Sequence, residues 1–103
     1  SKSSEFAFEI NFDGLVTVKK FIPVGSKELV SRTVVKWKEI ERIEKSKEGE
    51  KEILKLYSPE GHIADIIWYI RTDKKKVMKL LLQGMIASNH PLRVFLENEK
   101  ELL

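Results

Sequence analysis

The stretch EILKLYSPEGHIADIIWYIRT, residues 52–72, constrains this chain more than any other. Two runs rich in apolar and β-branched residues flank Ser58-Pro59-Glu60-Gly61. Pro59 suits the second position of a type I turn, and Gly61 suits a left-handed position after it. A turn of that kind pairs Ser58 with His62, Leu56 with Ala64 and Leu54 with Ile66 on one face. It pairs Tyr57 with Ile63, Lys55 with Asp65 and Ile53 with Ile67 on the other. A hairpin cannot stand alone in water, so at least one of these faces needs the rest of the chain above it.

The remaining pattern is also mostly strand. EFAFEINF alternates, with Phe6, Phe8, Ile10 and Phe12 on one side. LVTVKKFIPV follows Asp13-Gly14, and Val16, Val18, Ile22 and Val24 share one parity. Pairing Ile10 with Val16 and Phe8 with Val18 requires an odd loop, which predicts a three-residue turn with Gly14 left-handed as a bulge. ELVSRTVVKW reads as a third strand. Trp37, Ile40 and Ile43 recur every three residues, which suits a helical turn or a bulged strand equally. The Lys/Glu-rich stretch from Glu44 to Lys51 reads as a solvated turn.

From Asp73 to about Ser88 the period becomes helical, with Thr72 or Asp73 as cap. Val77, Met78, Leu81 and Met85 form the expected centre of the apolar face, widened by Leu80, Leu82 and Ile86. Asn89-His90-Pro91 ends this helix. The tail PLRVFLENEKELL is either a short helix, with Leu92, Phe95 and Leu96 inward, or an edge strand; in both cases it is expected to pack on the domain. The opening residues 1–4 are polar and expected to be disordered.

The 103 residues support a single domain over 1–103 with a modest core. No apolar run approaches the roughly 20 residues that span a bilayer, and no signal-peptide pattern is visible. With no cysteine there is neither a disulfide framework nor a thiolate metal site, which fits a reducing, cytoplasmic setting. A net charge of +3, with acids interleaved among the lysines, is only slightly basic.

The order of VVKWKEIERI, Gly49, EILKLYSPEG, ADIIWYI and a helix from Asp73 resembles the pleckstrin-homology-like fold, particularly its small bacterial and GRAM-like versions, over about residues 5 to 88. The resemblance implies an α+β, mainly β, domain: a bent antiparallel sheet or partly open barrel of about six to seven strands, capped by one C-terminal amphipathic helix. It also implies a binding or scaffolding role rather than catalysis. This sequence departs from the lipid-binding members of that family. Its first hairpin loop, Phe12-Asp13-Gly14, has an acid at its tip, and Lys19 and Lys20 lie further along the second strand.

Little here resembles catalytic machinery. His62 and Asp65 are three apart, which on a regular strand points them to opposite faces. His90 before Pro91 reads as a cap or a solvated residue, and the five glycines form no phosphate-binding loop. No enzyme activity, cofactor, metal or small-molecule substrate is expected.

Two surfaces stand out. The second face of the hairpin, with Ile53, Tyr57, Ile63, Ile67 and Tyr69, is too apolar for a solvated face. Either a neighbouring strand or the tail covers it, or it meets a protein partner or a second copy in a homo-oligomer. Arg71, Lys74, Lys75, Lys76 and Lys79 crowd the start of the helix, where the dipole disfavours cations. They are either simply solvated or an anion site for a phospholipid headgroup, at the cytoplasmic face of a membrane, or for nucleic acid.

Overall fold

The computed structural model describes residues 3–22, 25, 27–70 and 73–99. Two antiparallel meanders form the body of the fold. β1 (Ser3–Ile10), β2 (Gly14–Ile22) and β3 (Leu29–Lys36) make one three-stranded sheet. β4 (Arg42–Glu48), β5 (Lys51–Ser58) and β6 (Gly61–Tyr69) make the other, and a single 3-10 turn over Trp37–Glu39 joins them. α1 (Asp73–Met85) and α2 (Pro91–Asn98) close the chain. The class is thus α+β and mainly sheet, with six strands, two helices and no closed barrel among the described residues. Ser3 and Ser4 pair with Ile22 and Phe21, so the expected disorder of residues 1–4 does not extend to them. Ser1 and Lys2 lie outside the described residues.

The β5–β6 hairpin follows its sequence pattern. Leu56 faces Ala64, Leu54 faces Ile66, Lys55 faces Asp65 and Ile53 faces Ile67. Gly61 has φ 132°, the positive range expected of it. The tip differs: Ser58 pairs with Gly61 and Tyr57 with His62, and a bulge then leaves Ile63 as the extra residue. Extra residues of this kind shift the facing of everything before them.

The first hairpin is corrected by one position. Ile10 pairs with Leu15 and Phe8 with Thr17, across a two-residue Phe12-Asp13 tip. Asn11 sets this turn by accepting bonds at Oδ1 from the Asp13 and Gly14 amides, at 3.1 and 2.9 Å. Trp37 pins it from above, donating Nε1–H to the Asn11 carbonyl and its backbone N–H to the Asp13 carbonyl. Leu15, fully buried, heads the core face of β2 in place of Val16. Gly14 is absent from the positive-φ glycines. It is needed because a Cβ there would strike the Val35 carbonyl oxygen and approach Lys36 Cα to 2.9 Å.

The charged stretch expected to be a turn is mostly strand: β4 runs through Arg42–Glu48, and the turn shrinks to Gly49-Glu50, with Gly49 at φ 61°. Its charges are compatible with strand because β4 lies at a sheet edge, where charged side chains reach water. Trp37 to Ile43 combines the two open readings, a helical turn followed by strand.

The core lies between the sheets and helices. Leu15 and Val35 meet Leu54, Leu56, Ile66 and Trp68, and Leu82, Ile86, Leu92 and Leu96 close one side. The tail is helical from Pro91, its first residue, and His90 caps it by accepting the Leu92 amide at Nδ1. α1 is rotated from its expected orientation. Leu82 and Ile86 are buried, Leu81 and Leu80 are exposed, and Val77 and Met78 have side chains outside the description. No helix among the described residues is long and apolar enough to cross a membrane.

Candidate functional site

The outer face of the β5–β6 hairpin is less open than its composition suggests. Ile53 sits mid-sheet between Ser46 and Ile67 and keeps only 7% of its surface, so it is not available to a partner. Ile63, the bulged residue, packs against the core cluster. Ile67 is half-buried and lines a cleft of about 230 Å³ together with Ala7, Thr17 and Val18 of the first sheet. Tyr57 lies between Arg42, 4.1 Å over its ring, and the edge of His62, and its hydroxyl donates to Glu44 at 3.2 Å. Tyr69 is exposed.

The basic cluster divides. Arg71 lies outside the described residues, as do the side chains of Lys74 and Lys75; Lys76 is exposed. Lys79 is turned inward, 7% exposed, with Nζ 3.2 Å from Glu99 Oε1. It therefore does not belong to a solvent-facing anion site. Lys45 Nζ lies 3.0 Å from Glu99 Oε2 and 4.0 Å from Glu52, which in turn accepts the Trp68 indole N–H at 2.9 Å. This buried charge cluster joins β4, β5, β6, α1 and the end of α2. The sequence reading missed it. Each member looked like an ordinary solvated charge, and the one available signal was a lysine interrupting the apolar positions of α1.

His62 and Asp65 are also brought together, Nε2 to Oδ1 at 2.6 Å, against the expectation of opposite faces. The bulge at Ile63 adds the half-period that makes residues three apart share a face. Among the described residues no group of three His, Cys, Asp or Glu side chains could hold a metal. Among the described residues no nucleophile is hydrogen-bonded to the pair.

A further exposed apolar surface is one that the sequence reading did not single out. Among the described residues β3 pairs with β2 alone, so its other edge presents backbone N–H and C=O groups without a described strand partner. Leu29, Val30 and Val34 are 57%, 51% and 71% exposed along it. The contrast with β4 is instructive, because that edge strand carries Arg42, Glu44, Lys45, Lys47 and Glu48. Charges of that sort keep a sheet edge from pairing, whereas β3 has only Arg32, held 3.5 Å from Glu9, and Lys36 at its end. Beside Thr33, Val34 and Val35 runs an open groove of about 800 Å³, floored by Ile40 and walled opposite by the β5–β6 tip.

Comparison with protein-family models, curated proteins and solved structures finds no significant match to this chain.

Proposed function

We propose that this chain is a non-catalytic contact module, a pleckstrin-homology-like domain in its general plan, that binds another protein chain or a second copy through the open edge of β3. The observation that carries this is the undefended, apolar edge strand: Leu29, Val30 and Val34 stay exposed on a strand whose far side pairs with nothing described. Burying these three side chains contributes at most about 1.5–3 kcal/mol each. Association costs an estimated 4–15 kcal/mol, so hydrogen bonds from the strand edge must supply the rest and the contact is weak and reversible. Ile67 and Tyr69, at the margin of the second sheet, are secondary contacts at best.

Sedimentation velocity of the wild type and of Val34→Lys, at two concentrations roughly a hundredfold apart, tests the self-association arm. Concentration-dependent association that Val34→Lys abolishes, with unchanged melting, supports the reading. Association that persists in Val34→Lys refutes the β3 edge as the contact.

A second reading is favoured by one observation on α1. Lys76 and Leu80 are four apart on the solvent side, and Leu80 and Leu81 are 69% and 48% exposed. A helix presenting a lysine and two leucines outward fits the surface of an anionic bilayer. Salt-sensitive binding to phosphatidylserine vesicles, lost in both Lys76→Glu and Leu80→Glu, would support it. Binding that persists in both variants would remove it.

A further inference from the structure

The groove beside β3 says more about the partner than the strand edge alone does. Its β3 wall is a strand edge, which recognises another backbone rather than a small molecule. Its floor and rim are apolar at Ile40, Ile63 and Pro59. Its charge is lopsided: Glu39, Glu41 and Glu60 line it against Lys38. Glu39 accepts the Lys36 amide at 2.8 Å and Glu60 accepts the Ser58 hydroxyl at 3.1 Å. Arg42, next to Glu41 in the chain, is engaged by Glu44 and by the face of Tyr57. The β5–β6 tip stands opposite the strand edge.

We infer that the groove takes an extended segment of another protein, added as a fourth strand beside β3, with a lysine or arginine set between apolar residues. The ligand's backbone pairs with Thr33–Val35, its apolar side chains meet Ile63 and Pro59, and its cation faces Glu41 and Glu60. This rests on the reading of β3 as the contact edge and adds the chemistry of what sits there.

The test is an amide chemical-shift titration of the 15N-labelled chain with two blocked pentapeptides, acetyl-Val-Lys-Val-Lys-Val-amide and acetyl-Val-Glu-Val-Glu-Val-amide. The lysine peptide is expected to shift Thr33–Val35 and Ser58–Ile63 at millimolar or lower concentration, and the glutamate peptide to bind at least roughly fivefold more weakly. Glu41→Lys/Glu60→Lys, both exposed positions, is expected to reverse that preference with the fold intact. Equal binding of the two peptides, shifts mapping away from the groove, or no binding of the lysine peptide would each overturn the inference. If no peptide binds but the chain self-associates and Val34→Lys dissolves the assembly, the contact reading survives and this one falls.

Discussion

Gly14→Ala is expected to be among the more damaging single-methyl additions available in this chain. Gly14 faces Lys36 across the β2–β3 ladder, and the added Cβ would sit inside contact distance of the Val35 carbonyl oxygen and 2.9 Å from Lys36 Cα. Both obstacles are backbone, so no rotamer change relieves them; the strands must separate by roughly 1 Å to restore ordinary contact. Overpacking costs about 1–3 kcal/mol, and a clash against backbone belongs near the top, at about 3 kcal/mol. At about 4–8 °C per kcal/mol, the melting temperature should fall by roughly 12–24 °C. Urea unfolding followed by far-UV circular dichroism and tryptophan fluorescence measures this, and Trp37, bonded to the Asn11 carbonyl, reports on the hairpin itself. Gly14→Asn separates the steric cause from a conformational one. Asn tolerates left-handed backbone, so it would recover stability if Gly14 were required for its φ, whereas the steric argument makes it as harmful as Ala. Gly49→Asn is the control: with φ 61° and open space around its Cβ direction, it should cost less than about 1 kcal/mol. A Gly14→Ala variant within about 1 kcal/mol of wild type, or a Gly14→Asn variant clearly better than it, would refute the close-approach argument. The same displacement would move one wall of the groove, so peptide binding should weaken in parallel.

Two further outcomes test the helices. Leu82→Ala, at a fully buried position, should cost about 2–5 kcal/mol, while Leu81→Ala, 48% exposed, should stay within about 0.5–1 kcal/mol; the reverse order in urea unfolding would restore Leu81 to the core. Glu99→Ala removes the acceptor between Lys79 and Lys45 and should cost about 2 kcal/mol, less than the 3–5 of a fully dry pair because Lys45 is 36% exposed. Unchanged unfolding in that variant would mean that the cluster does not hold α2 to the sheet.

What was legible in the sequence was whatever a few neighbouring residues decide. The β5–β6 hairpin could be read because strand alternation and the Pro59-Glu60-Gly61 tip are local signals, and together they fix that Leu54 pairs with Ile66 and Ile53 with Ile67 on opposite faces. The helical character of α1 was legible for the same reason, whereas the segment from Pro91 read equally as helix or edge strand and only the structure makes it a helix. Tertiary structure decided the rest. Which side of α1 turns inward depends on Glu99, 20 residues away, whose carboxylate makes burial of Lys79 tolerable and sends Leu80 and Leu81 to the surface. The register of the first hairpin depends on Trp37 and on the approach of β3 to Gly14, neither visible within the hairpin. A bulge that no residue announces brought His62 to Asp65. The candidate site belongs to this second group. A sequence gives the apolar character of Leu29, Val30 and Val34, but only the sheet order makes β3 an edge, and only the packing of the β5–β6 tip opposite it makes a groove. Alternation is a property of neighbouring residues, whereas an unpaired edge depends on where every other strand of the chain has gone.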